Sequence, residues 1–438
     1  MAENAATRRL LLLQEMYRDA FPNERHSGTC LWLVEEDGEK MVNALVETED
    51  TPGAVFDAML VTLRSPFNGR DTYATDLADE LWNERILAGK EELIAAGVDP
   101  VLFDQPPRVR NLNDLFLYFR GFVSALPNPC PGVAIYLWPL DYKKPVKQWV
   151  TWLEESLQQN LPDHCVLLLH DRPDGLLSTR LARRKDLKVS ALTPDLKMDE
   201  LAAELAAEGD PNDPEVQFRQ LFLKLSEAGQ RGDFERMKAH GQDAQNLAEQ
   251  QTGWEHIVVS VLAAQGSHLL SRKGNQAEAI TYFEQARNKA ELAIELENPA
   301  GPVVLIQTLN FLAAAHFHHS EYDAATEYYL EVAQRTEQAE DQQFIRMEAF
   351  RMAAFCQRLA GKPTEAWENN LLSLVAAEGL DENIRFQSTL PYVGRELMTL
   401  MEILNRYSES RQLKERLNRL AGPDWESKIS EAETPAAL

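Results

Sequence analysis

The chain has 438 residues, 44% hydrophobic and 26% charged, with a net charge of −25 spread over both halves. That length exceeds one typical core and predicts two domains. The acidity repels a phosphate backbone and excludes nucleic acid as the main ligand, and no apolar run approaches the roughly 20 residues that cross a bilayer, so no membrane insertion is expected. Cys30, Cys130, Cys165 and Cys356 are scattered, with no C-x-x-C pair. That argues against a zinc site or a disulfide framework and predicts a reducing, cytoplasmic setting. At the N-terminus the apolar run Leu10 to Leu13 is followed by Gln14, Glu15 and Arg18. It is too short for a signal peptide and fits an amphipathic first helix.

From there the first half alternates apolar runs with amphipathic stretches. CLWLV (30–34), AMLVTL (58–63), VAIYLWPL (133–140), VLLL (166–169) and KVSAL (188–192) read as strands. Between them, helices are predicted at 40–47, 71–87, 112–126 and 146–159, with another at 199–207 after the last strand. This pattern predicts an α/β domain over 1–209, a mainly parallel sheet with helices on both faces. Ligands of such sheets bind beyond the C-terminal strand ends, here the loops after Val34, Leu63 and Leu140.

The order of strand, loop, helix and a later apolar strand ending in Asp141 resembles a P-loop NTPase of the STAND or AAA-like type. The resemblance implies that Lys40 opens the first helix, that Asp141 is the magnesium ligand, and that helical repeats follow. The phosphate loop departs from it. A working Walker A reads G-x-x-x-x-G-K-[S/T], whereas this stretch is VEEDGEKM, with one glycine, Gly38, and Met41 after Lys40. Glu35, Glu36, Asp37 and Glu39 surround the place of the triphosphate. Each unit-charge pair about 4 Å apart opposes binding by roughly 1 kcal/mol even in water. We therefore expect a nonfunctional P-loop-like scaffold, with Gly38, Lys40 and Asp141 as its vestiges, no cofactor and no enzymatic activity.

Five tryptophans crowd this half, among them Trp149 and Trp152 on one predicted helix. Core packing is one reading; an exposed Trp149 and Trp152 pair that anchors a partner is the other. Arg180, Arg183, Arg184, Lys185 and Lys188 form the basic cluster, either an anion contact or a solvated helix face.

DPNDP (210–214) reads as a linker, and 215–421 is helical almost throughout. Helix pairs are predicted at 216–228 with 234–250, 254–270 with 276–296, 303–318 with 322–339, and 343–359 with 364–377. A capping pair, 384–405 with 408–420, closes the series. The turns are Gly232-Asp233, Gly274-Asn275, Ser320 and Gly361-Lys362-Pro363. GNQAEAITYFEQA (274–286) is the clearest phrase: small Ala279, large Phe283 and small Ala286 make one helix ridge. This resembles the second helix of a tetratricopeptide (TPR) unit. Ala325, Tyr329 and Val332 repeat it, as do Ala366, Asn370 and Ser373 with the large position lost, while Met237 starts the weakest copy. Ala313, Ala354 and Ser267 occupy the close-packing position of the first helices. Successive small positions lie roughly 41 to 46 residues apart, against about 34 in a standard TPR, so the helices are longer. The resemblance implies an all-α TPR-like array whose groove holds a protein partner. The acidity favours a basic or aggregation-prone client. His316 and His319 lie one turn apart, but zinc needs three or four convergent ligands; with Gln357 they are candidate partner-binding residues. The tail 422–438 is polar and expected to be mobile. The reading is an adaptor, chaperone or assembly factor, with a secreted protein or toxin as one client class. The alternative is a STAND-like nucleotide sensor that oligomerises.

Overall fold

The computed structural model describes residues 4–22, 27–47, 58–104, 106–130, 132–138, 146–184, 186–337 and 340–427. Residues Met1–Glu208 form one compact unit and Gly209–Leu438 a second.

In the first unit, strands β1 (Gly28–Leu33), β2 (Ala58–Leu63), β3 (Gly132–Leu137), β4 (Cys165–Asp171) and β5 (Val189–Leu192) form a parallel sheet ordered β2-β3-β4-β1-β5. Both faces are covered, which is why these strands read as continuous apolar runs. Successive side chains still alternate. Cys30, Trp32, Ala134, Tyr136, Val166 and Leu168 pack under α1 (Ala5–Ala20), α2 (Glu36–Glu47) and α8 (Met198–Ala207). Leu31, Ile135, Leu167 and Leu169 pack under α3 (Tyr73–Glu80), α4 (Lys90–Ala95), α5 (Leu112–Ser124), α6 (Val146–Leu157) and α7 (Leu176–Leu181). Arg9 ties α1 to the last connection. Its buried guanidinium donates to Leu196 O (2.6 Å), Lys197 O (2.9 Å) and Glu204 Oε2 (2.9 Å).

Three local expectations are corrected here. The first helix after β1 begins at Glu36 rather than Lys40, because the three carboxylates of its first turn, Glu36, Asp37 and Glu39, suit a helix N-terminus. The helix expected at 71–87 ends at Glu80 and continues as a π-helical turn, Leu81–Ile86. Leu81 and Ile86 are five residues apart and both buried, so the widened turn keeps them on one face. Trp149 and Trp152 are 3% and 7% exposed and lie in the sheet–helix core, with Trp152 edge-on to Tyr73 at 4.9 Å. They are packing residues and present no anchor to a partner.

The second unit is a TPR-like array of helical hairpins. The pairs are α9 (Pro214–Arg231) with α10 (Phe234–Glu249), α11 (Glu255–Leu270) with α12 (Gln276–Glu295), α13 (Gly301–His318) with α14 (Tyr322–Arg335), and α15 (Gln343–Leu359) with α16 (Pro363–Glu378). The end is closed by α17 (Glu382–Gln387), α18 (Leu390–Ile403) and α19 (Ser410–Ala421). Asp213 caps α9 through the Glu215 N–H, with Pro214 at its first position. Each hairpin turns through one left-handed residue: Gly232 (φ 77°), Gly274 (φ 97°), Ser320 (φ 63°), Gly361 (φ 76°) and, in the cap, Asn405 (φ 54°). The ridge residues Ala279, Phe283, Ala286, Ala325, Tyr329, Val332, Ala366, Asn370 and Ser373 are all buried.

Further corrections follow from packing. Ser267 is exposed and its hydroxyl bonds Ala263 O. The close-packing position is Gly266, where a Cβ would lie 2.6 Å from the Phe283 ring. The turn after α11 is longer than its counterparts, so counting back from Gly274 lands one residue too far along. Gln357 is buried and accepts a hydrogen bond from Asn369 Nδ2 (2.8 Å), so it pairs α15 with α16 and faces no partner. The start of the expected tail is also docked. Trp425 is 2% exposed, lies against Gly394, and donates from Nε1 to Asn418 Oδ1 (3.1 Å). Residues 428–438 lie outside the described residues.

Ser320→Gly removes a Cβ from a left-handed position. We expect a net stabilisation of about 0.5 to 1 kcal/mol, read as a higher midpoint in urea. Trp425→Ala empties a filled hollow in the cap and should cost about 3 to 5 kcal/mol, read as early exchange of the α18 and α19 amides.

Candidate functional site

The chain leaves β1 through α2 towards the β2 edge and leaves β4 through α7 towards β5. β1 and β4 are neighbours, so their connections diverge to opposite faces and their C-terminal ends define the switch point where α/β sheets bind ligands. Here it is closed. Val34 N–H donates to Asp171 O (3.0 Å), which extends the pairing past the strand end. Only Val34 and Glu35 connect β1 to α2, too few to wrap a phosphate. The loop expected over 35–39 is therefore, from Glu36 on, the first turn of α2. Gly38 is buried in the first turn of α2, and Lys40 is exposed and paired with Asp37 at 3.2 Å. Asp141 lies outside the described residues.

A helix N-terminus attracts anions through its free N–H groups and dipole. In α2 that attraction is met by its own carboxylates. Arg172 bonds Glu36 (3.0 Å) and stands 3.9 Å from Glu39. Burial raises the pKa of Glu39 while Arg172 opposes the shift. Beside this corner lies a cleft of ≈ 430 Å³ lined by Glu35, Asp37, Asp195 and Asp199 together with Lys197. Behind it, the Tyr136 hydroxyl donates to Asn43 Oδ1 (2.8 Å) and meets His170 Nδ1 at 2.5 Å. With the phenol proton on Asn43, Nδ1–H of His170 donates to the phenol oxygen and the bare Nε2 faces Glu39 at 3.9 Å. Burial lowers the His170 pKa from 6.5 to about 4. Desolvation outweighs the attraction of Glu39, and the imidazole stays neutral.

Asp171, at the end of β4, is buried and accepts from Ser178 N–H (2.9 Å) at the start of α7. Gly175 is required beside it, because a Cβ there would overlap the carboxylate. Two members of the basic cluster, Arg180 and Arg184, are engaged within the unit. Arg180 bonds the buried Glu154 through Nε (3.0 Å), and Arg184 bonds Asp186 through Nε (2.7 Å).

In the array, α9, α11 and α13 pack against one another from unit to unit, so the first helices share one continuous face. On α13, Val303 is 49% exposed and Phe311 38%, and on α15 Phe344 is 40% exposed. The second helices face the other way and are joined by ion pairs, Lys238–Glu278 and Lys289–Glu249 (both 2.7 Å), Arg287–Glu331 (3.1 Å) and Lys362–Asp323 (2.8 Å). His316 and His319 both donate from Nδ1 to Glu321 (2.6 and 3.0 Å), and the His316 ring stacks on Tyr328. These bonds lower the Glu321 pKa. The pair thus holds the α13–α14 turn, and His319 stays exposed. Among the described residues no group of three or more His, Cys, Asp or Glu side chains could hold a metal. No helix is long and apolar enough to cross a membrane.

The sequence reading missed the buried Tyr136–His170 pair and the exposed first-helix face. A signal for the second was present: α13 contains no Asp, Glu, Lys or Arg.

No protein-family model matches the chain, and no curated protein does. Among solved structures, the apo form of RapI is similar at 13% identity over 50% of this chain, with a TM-score of 0.39. The match spans 58% of the RapI chain. BtubC (BKLC) from P. vanneervenii is similar at 15% identity over 54% of this chain and 91% of its own, with a TM-score of 0.38. A STAND protein with a tetratricopeptide repeat sensor from Pyrococcus horikoshii is similar at 12% identity over 96% of this chain and 77% of its own, with a TM-score of 0.27. Likenesses this distant carry no argument about function.

His170 gives a pH test. Its folded pKa is below the unfolded one, so its contribution is present above pH 6.5 and is lost as pH falls through about 4. The full shift corresponds to about 3 kcal/mol. Urea titrations followed by tryptophan fluorescence should show that loss between these pH values in the native chain. In His170→Leu this part of the pH dependence should be missing.

Proposed function

We propose that this chain is a non-enzymatic adaptor or assembly factor that holds a protein partner on the first-helix face of its TPR-like array. The observation that carries this reading is the exposure of Val303 and Phe311 on α13, a helix without Asp, Glu, Lys or Arg. Exposed apolar side chains on a helix face of a repeat array suit an interaction surface; Leu292, Leu372 and Val375 on the second helices are exposed as well. A chaperone role for an aggregation-prone client, a secreted protein or toxin among them, suits that surface, and the free cysteines suit the cytoplasm. The α/β unit would then act as a scaffold, because its own carboxylates occupy the corner a nucleotide phosphate would need.

A second reading, a nucleotide-sensing signalling protein of the STAND kind, draws on the strand order and its switch point between β1 and β4. Calorimetry with ATP and magnesium separates the two. We expect no heat of binding at micromolar nucleotide. Micromolar affinity, with a change in size by light scattering, would replace the adaptor reading. The adaptor reading itself is checked by cross-linking the full chain in its native extract and mapping the linked residues. Links should concentrate on α11, α13 and α15. The reading fails if no partner is linked there while the purified chain turns over a small molecule.

A further inference from the structure

The first-helix face is not uniform. α9 carries Glu215, Arg219, Lys224 and Glu227, and α15 carries Arg346, Glu348, Arg351 and Arg358. Between them, α11 has one charged residue, Glu255 at its start, and α13 has none. In a chain that is 26% charged, two adjacent helices are thus nearly free of charge. A helix apolar on all sides is normally covered on all sides. Yet α13 leaves Val303, Gln307 and Phe311 exposed along one stripe, four residues apart. α11 presents half-buried Ser260 and Ala263 and exposed Ser267, three and four residues apart. The stripes are continuous through the core: Phe311 stacks on Phe283 at 5.3 Å, and Phe283 lies against Gly266 of α11.

Resting on the adaptor reading, we infer that the α11–α13 stripe docks an uncharged apolar segment of the partner, in helical form. The net charge of −25 therefore does not select a basic client at this face. The argument is charge matching. A lysine or carboxylate laid on this stripe would lose its hydration and meet no counter-charge, which is unfavourable whichever its sign. Aliphatic side chains lose nothing there and cover Val303 and Phe311. Ser260, Ser267 and Gln307 offer neutral hydrogen-bonding groups at its edges.

The test uses the full chain and three fluorescein-labelled amphipathic peptides of about four helical turns. One is built from Leu, Ala, Gln and Ser; in the others Lys or Glu replaces Gln. Fluorescence anisotropy should show the neutral peptide binding tightest. Its affinity should change less than about twofold between roughly 0.05 and 0.5 M NaCl, since screening acts only on charges. The double variant V303E/Q307E should weaken it at least about tenfold, as should Ser267→Glu on the neighbouring helix. All three positions are exposed, and circular dichroism checks that the helices persist. Tighter binding of the Lys peptide with steep salt dependence overturns the inference and leaves the adaptor reading standing. So does neutral binding that both variants leave unchanged. Absence of binding by every peptide also overturns it, and the cross-linking map then decides separately whether the array holds a partner.

Discussion

Two helices approach closely only where one of them lacks a side chain, and the array is built on that constraint. Phe283 of α12 sits in the hollow left by Gly266 of α11. Gln265 fills the hollow left by Gly241 of α10, and His268 the one left by Gly229 of α9. Trp425 closes the series against Gly394. Each hollow fixes the register of one helix on the next, because a bulky side chain fits only one position along the partner. The left-handed turns set the direction of each hairpin, and the hollows set its depth. With both in place, the first helices are brought side by side and their solvent stripes join.

Those two devices differ in how plainly they are written in the sequence. A left-handed turn favours glycine, so Gly232, Gly274 and Gly361 were legible, and Ser320 was recovered from its place between two apolar periodic stretches. The hollows were harder. Gly266 and Ser267 are both small, and only the longer turn before Gly274 decides which of them meets Phe283. Strands of the sheet were legible because burial on both faces makes them continuous apolar runs. The start of α2 was not. A glycine among four acidic residues reads as a loop, whereas three of those carboxylates stabilise the first turn of a helix. Of the two readings for Trp149 and Trp152, core packing is the one that burial fits, whereas Gln357, a polar residue on α15, is buried because α16 covers it.

The same placement of charge shapes the switch point. In a nucleotide-binding sheet the N-terminus of the helix after β1 is left free for phosphate. Here Glu36, Asp37 and Glu39 occupy it, and Arg172 is already bound to Glu36. What remains nearby is a cleft where Glu35, Asp37, Asp195 and Asp199 stand among apolar residues such as Leu33, Val34, Leu196 and Met198. The neutral His170 beneath it belongs to the fold, since its ring is held by Tyr136 and shielded from water.

Acidity in the array is likewise confined. The ion pairs between second helices each contribute little, about 0 to 1 kcal/mol when exposed. The second helices carry these charges, while α11 and α13 hold a single one between them, Glu255. A surface that held its partner by charge would weaken with salt and accept any oppositely charged segment. In the proposed role, a neutral stripe of Val303, Gln307 and Phe311 would discriminate by shape and apolarity instead, within a chain whose overall charge would suggest the opposite.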